Sequence, residues 1–151
     1  RRVLFRSAGA GRTVNVPLEV GATDDDYRLV FEQVVLPVLR QFEPDLLMVS
    51  AGFDAHERDP LGQMRVTTQG FAAMTAALRH VAEECCGGRL VVVSEGGYDL
   101  RALGECFRAV IDVLAGETAP PVEWPQAPVA SSRGRHGVNQ AKAALTRHWR
   151  F

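Results

Sequence analysis

Between Ser50 and Gly62 the chain reads "SAGFDAHERDPLG", with Asp54, His56, Glu57 and Asp59 inside six consecutive positions. Carboxylates and imidazole are the side chains that ligate zinc or move protons near neutral pH. A second stretch, "SEGGYDL" from Ser94 to Leu100, places Tyr98 behind two glycines, Gly96 and Gly97. A phenol hydroxyl ordinarily stays protonated at neutrality and can donate to a developing oxyanion. Paired glycines let main chain approach a ligand closely or take positive φ. Each stretch has a plainer reading as well, a solvated polar loop for the first and a tight turn for the second.

Whether the two meet depends on the elements that carry them. "DLLMVS" (45–50) and "RLVVVS" (89–94) are short apolar runs that read as buried parallel strands. Between them the spacing predicts a helix over 68–84, with Thr67 or Thr68 as cap, Phe71, Met74, Leu78 and Val81 as core stripe and Gly87 as stop. A right-handed β-α-β crossover sends both following loops to the carboxyl edge of one parallel sheet, where open α/β sheets bind ligands. Residues 51–62 and 95–100 are therefore expected to converge.

Three further elements complete the outline. "TDDDYRLVFEQVVLPVLRQFEPD" predicts a helix capped by Thr23 or Asp24, with Tyr27, Val30, Phe31, Val34, Val35, Val38 and Phe42 recurring at helical spacing and a kink or weakened turn at Pro37. "LRALGECFRAVIDVLAG" predicts a helix with Leu100, Leu103, Phe107, Val110, Ile111 and Leu114 on one face. Val14 to Leu18 alternates like a short strand, 118–137 reads as linker, and "NQAKAALTRHW" as a last short helix. "GAGRT" lacks both the Lys-Ser/Thr and the helix start that a phosphate loop requires.

Composition sets the bounds. The chain has 151 residues, 46% hydrophobic and 23% charged, with net charge −1, enough apolar material for one domain core and no global attraction for nucleic acid. No apolar run reaches the ~18 residues of a membrane span, so no membrane partner is expected. Cys85, Cys86 and Cys106 contain no C-x-x-C pair and read as reduced thiols of a cytoplasmic protein. Beyond Glu123 no acid occurs while Arg133, Arg135, Lys142, Arg147 and Arg150 accumulate; these read as a solvated basic tail rather than a nucleic-acid patch.

The two loops resemble those of the zinc-dependent histone deacetylase family, and most closely its class II and bacterial deacetylase-like amidohydrolase branch, with the acetylpolyamine amidohydrolases. The resemblance is carried by "NVPL", "FEPDLLMVSAGFDAHERDPLG", "VTTQGF", "GGRLVVVSEGGYDL" and the helix after it, from about Gly9 to about Gly116. It implies the C-terminal part of an arginase-related α/β fold, a parallel sheet flanked by helices. It further implies Asp54 as a zinc ligand, Tyr98 as the catalytic oxyanion donor, Leu61 at the mouth of an acyl-lysine tunnel, and Gly96 and Gly97 on its wall. The implied reaction is hydrolysis of an acetyl-lysine or acetylpolyamine amide, with zinc as cofactor and monovalent-cation sites in the parent protein. The rival readings are an amidohydrolase for another acyl amide and a non-catalytic acyl-lysine binding or scaffold protein; Tyr98 speaks against the second.

The family's Asp-x-His zinc motif and its His-His general base fall upstream of "NVPL". Asp54-Ala55-His56 has the letters Asp-x-His in the context of the other zinc Asp, and the four histidines His56, His80, His136 and His148 include no adjacent pair. The chain alone is therefore expected to be inactive and to expose apolar surface. His56 is expected to be a loop residue, Glu57-Arg58 a solvated charged pair, Asp59-Pro60 turn chemistry, Glu95 a structural hydrogen-bonding group, His80 and Glu83 surface, and Cys106 a core thiol. "RVLFRS", Arg2 to Ser7, does not fit the resemblance and matches the translation of a sequencing-library adapter. Residues 1–7 are expected to be non-native, 8–117 to be the C-terminal part of a deacetylase-like domain, and 118–151 to be linker plus a short basic helix or tail.

Overall fold

Two aliphatic runs form the sheet that positions everything else. In the computed structural model, which describes residues 11–117, 122–125 and 132–151, Leu47–Gly52 (β1) pairs in parallel with Leu90–Gly96 (β2). The segment 1–7 and much of the 118–137 linker lie outside the described residues. The register runs from Leu47 opposite Leu90 to Ala51 opposite Ser94, then shifts so that Gly52 faces Gly96 and Glu95 is left unpaired. Both strands start later than the apolar runs and extend onto glycine, because the ladder is carried by main chain and does not stop where large side chains do.

The crossover is α3, Thr68–Cys86. Thr67 caps it by accepting from the Gly70 N–H, and Gly87 closes it at φ 59°. Phe71 and Val81 are buried and Met74 and Leu78 half-buried, as the stripe predicted. Ala72, Ala73, Ala82 and Cys86 are buried too, since α3 packs both on the sheet residue Leu47 and on the helix that follows β2.

Helix α4, Leu100–Ala115, corrects the predicted stripe. Leu103, Phe107 and Val110 do pack on the central cluster of Phe53, Val66, Phe71 and Cys106. The face turned inward is however centred on Ala102, Cys106, Val110 and Val113, which leaves Leu100, Ile111 and Leu114 exposed. Met48, Val91 and Val93, on the second sheet face, are exposed as well, so apolar surface is open on both.

The helix predicted over 23–42 is built in three pieces: α1 (Asp24–Val30), a π-helical turn (Phe31–Val35) and α2 (Leu36–Phe42). The Leu36 N–H reaches back to the Phe31 carbonyl, five residues earlier. Pro37 has no N–H and its ring crowds the carbonyl four residues before it, so the ladder is re-spaced one turn ahead of the proline.

Two expectations fail at the chain's ends. Val14 to Leu18 forms no strand; Val14, Val16 and Leu18 pack instead against the cluster of Val30, Val34, Val138, Ala141 and Leu145. The last helix, α5, is Arg133–Leu145, so it begins inside the predicted linker, and it docks on α1 while Arg133, Arg135, Arg147 and Arg150 stay exposed. Its glycines make the docking possible: a Cβ on Gly134 would stand 2.7 Å from the Asp26 carbonyl oxygen, and one on Gly137 would collide with that of Pro17.

Three buried carboxylates pin these elements, each by accepting main-chain N–H groups. Asp26 takes the Thr23 N–H (2.9 Å) at the start of α1 and the Gly134 N–H (2.6 Å) at the start of α5. Asp24 takes the Thr67 N–H (2.9 Å) and hydroxyl (2.8 Å) ahead of α3. Asp59 takes the N–H groups of Leu61 (2.9 Å), Gly62 (3.1 Å) and Tyr98 (2.7 Å). Burial, the largest single influence, raises the Asp59 carboxyl; N–H groups of Tyr98, Leu61, Gly62 and Asp99 together outweigh it and hold the group below the usual carboxylate range.

Two predictions follow from these pins. Asp26→Ala leaves the Gly134 N–H buried without its acceptor and is expected to cost about 2–4 kcal/mol in urea unfolding, since lost acceptors leave donors at about 1–3 kcal/mol each; a loss near zero would contradict the role. The stability that ionised Asp59 contributes is complete above the ordinary carboxylate pKa and lost as pH falls through its depressed native value. Asp59→Asn should therefore be less stable at pH 7 and show a shallower acid limb below about pH 4 in urea midpoints measured across pH. An acid limb identical to the parent's would rule out the bridge as its source.

Candidate functional site

The two loops meet, as the crossover argument requires. Past the register shift the Phe53 N–H donates to the Gly96 carbonyl at 2.8 Å, so the first residue beyond β1 is held by the last residue of β2. Phe53 is buried against Phe71 and Phe107, both at 5.2 Å between ring centroids. Asp54 follows it at the edge, half-buried, and its carboxylate makes no hydrogen bond or ion pair among the described residues. An acceptor-only group with no acid-base or N–H partner is free to take a cation.

A cavity of about 400 Å³ is lined by Asp54 together with Tyr27, Phe31, Val49, Phe71, Met74 and Val92 among others, from the sheet and the helices. Its walls are mostly apolar. Burial first, then the negative charges of Asp54 and Asp26, push the Tyr27 phenol above its ordinary value, so it stands in the cavity as a neutral hydroxyl. Leu61, Gly96, Gly97 and Tyr98 lie outside this lining.

Gly96 ends β2, and Leu61, Gly97 and Tyr98 belong to the loops beyond the strands. Gly97 has φ 136°, and a Cβ there would come within 3.0 Å of Leu103 Cδ1 and 3.1 Å of Phe53 Cβ, so the turn before Tyr98 needs glycine on two counts. Tyr98 is 59% exposed and Leu61 64% exposed. Neither side chain makes a hydrogen bond among the described residues. Both are held by their N–H groups, on opposite oxygens of the one Asp59 carboxylate. Asp99 then caps α4 by accepting from the Ala102 N–H at 2.6 Å.

The neighbours sort as follows. His56 is buried, with Nδ1 accepting from the Arg58 N–H (3.1 Å), Nε2 facing the Thr68 hydroxyl (3.2 Å) and its ring stacked on Phe71. Both nitrogens are in use, which agrees with a loop role. Arg58 does not pair with Glu57; it binds Glu105 on α4 at 2.5 Å, an acid that Arg101 also holds, and this corrects the expected solvated pair. Glu95 accepts from the Ser50 hydroxyl at 2.7 Å, strand to strand, rather than from main chain. His80 and Glu83 lie on the outer face of α3, His80 Nε2 3.1 Å from a Glu84 carboxylate oxygen and Glu83 ion-paired with Arg79, and Cys106 is fully buried. Asp59 was the residue that local pattern undervalued: its turn bonds to Leu61 and Gly62 are legible, its bond to Tyr98 is not.

Among the described residues no three His, Cys, Asp or Glu side chains are placed to hold one metal ion. Asp54 fits as one zinc donor, a free carboxylate at the carboxyl edge, and the described residues do not supply the rest of a zinc site.

The chain matches the histone deacetylase domain over residues 3–114. It is 40% identical over 146 residues to the human protein named polyamine deacetylase HDAC10, covering 96% of this chain and 21% of that one. It is 46% identical over 108 residues to the histone deacetylase-like amidohydrolase of Pseudomonas aeruginosa, covering 72% and 28%. Among solved structures, the HDA15 HD domain superposes with a TM-score of 0.79 at 40% identity, over 92% of this chain and 37% of that one. The histone deacetylase Clr3 superposes with a TM-score of 0.83 at 34% identity, over 94% and 23%. The chain spans between 11% and 43% of the length of the curated relatives it matches. By the matched domain, the shared fold and these identities, the chain belongs to the histone deacetylase family.

Proposed function

We propose that this chain carries part of the active site of a zinc-dependent deacetylase, in which Asp54 is one zinc ligand and Tyr98 the oxyanion donor. The observation that carries this reading is the pairing of an uncommitted carboxylate, Asp54, with an exposed phenol, Tyr98, on two loops tied at one sheet edge. Zinc, when bound, would polarise the scissile amide carbonyl and lower the pKa of a water. Tyr98 would donate its hydroxyl to the carbonyl oxygen as negative charge builds there. Leu61 and the Gly96-Gly97 turn would line the approach of the acyl chain. The substrate class is an acetylated amine, acetyl-lysine or acetylpolyamine, in keeping with the names of the relatives. The remaining zinc ligands, the general base and any monovalent cation would come from outside these 151 residues, which by themselves would be inactive. Tyr98 favours this reading over a non-catalytic acyl-lysine binder.

The test is zinc-dependent hydrolysis of a fluorogenic acetyl-lysine amide and of an acetylpolyamine by the full-length gene product. Tyr98→Phe is expected to lower kcat by at least about 100-fold with zinc retained, the scale for losing one oxyanion donor. Asp54→Ala should lose both metal and activity. Full activity in both variants would refute the assignment.

A further inference from the structure

We infer that Asp59 is a positioning residue for the reaction, acting through the main chain of Tyr98. The inference rests on the reading of Asp54 and Tyr98 given above, and deepens it. A donor to an oxyanion works only if its hydroxyl is fixed before charge develops, so something must hold the tyrosine still. Its ring is more than half exposed and its hydroxyl has no hydrogen-bond partner among the described residues. The placement of Tyr98 therefore falls to its backbone.

Three contacts fix that backbone. Gly97 is wedged between Leu103 and Phe53. Asp99 is locked as the cap of α4. Between them the Tyr98 N–H points at Asp59 Oδ2, 2.7 Å away. Asp59 is itself buried and anchored through Oδ1 to Leu61 and Gly62, at the far end of the loop that carries Asp54. One carboxylate thus sets the spacing between the loop bearing the zinc ligand and the loop bearing the oxyanion donor.

The chemistry requires a carboxylate here. Its two oxygens accept and neither donates, which suits N–H groups arriving from both sides. Asparagine has the same shape but one acceptor oxygen; its NH2 would face either the Tyr98 N–H or those of Leu61 and Gly62. Asp59→Asn should loosen one loop from the other while leaving the Asp54 side chain and the packed cluster in place.

The full-length gene product gives the test, by steady-state kinetics, zinc content and a double-mutant cycle. Asp59→Asn is expected to lower kcat by about 10- to 100-fold, the scale of a misplaced catalytic group, with KM nearly unchanged and zinc retained. In a Tyr98→Phe background the same substitution should change kcat little, because its effect passes through the hydroxyl already removed. In the metal-free protein, the fluorine NMR line of a fluorotyrosine at position 98 should broaden or split on Asp59→Asn. If Asp59→Asn does not fold, Asp59→Glu, which keeps the charge and displaces it by one methylene, is measured in its place with the same expectations. An unchanged kcat, or an equal loss in both backgrounds, would overturn the positioning role while leaving the site assignment standing. Full activity of Tyr98→Phe would overturn both.

Discussion

The Asp59 carboxylate is the interaction on which the arrangement of the site depends. It is buried, and it accepts from Leu61 and Gly62 on its own loop and from Tyr98 on the next. Without it the two loops would still leave the same edge, but their tips would be exposed chain with exposed side chains. The energetic logic is that of a charge-assisted bond in partly excluded water: strong enough to order a loop, and costly to break because donors are left bare.

Parallel pairing of β1 and β2 does the coarser part of the work. It delivers Phe53 and Gly96 to the same level, and the shift after Ala51 frees Glu95 so that the glycine carbonyl reaches the Phe53 N–H. The aromatic contacts of Phe53 anchor the residue that precedes Asp54 in the packed cluster. Asp24 repeats the principle at the N-terminus of α3, and Asp26 repeats it where α1 meets α5. Each is a short acidic side chain, acceptor-only, spent on main-chain donors from a distant segment, and no buried side-chain polar atom is left unpartnered among the described residues.

The sequence showed the β-α-β unit, the caps at Thr67 and Gly87 and the convergence of 51–62 with 95–100, because these follow from local periodicity and the handedness of crossovers. The family followed from two loops whose residues are contiguous. What stayed hidden depends on partners far along the chain. Asp59 looked like turn chemistry because its bond to Tyr98 spans 39 residues. Gly134 and Gly137 looked like linker glycines, yet they are the points where α5 touches other backbone. The stripe of α4 was drawn through its largest residues, whereas the helix turns inward the face holding Ala102 and Cys106. Val14 to Leu18 alternates without a strand to pair with, and packs by side chain alone.

Residue-level amide hydrogen exchange of the native protein tests the bridge most directly. If one carboxylate holds both loops, the Tyr98, Leu61 and Gly62 amides should exchange through a common opening, about 10- to 100-fold more slowly than free loop amides, as bonds to a charged acceptor imply. A Tyr98 amide that exchanges at the free-chain rate while Leu61 and Gly62 stay protected would contradict the account, because the loops would then be neighbours without being joined.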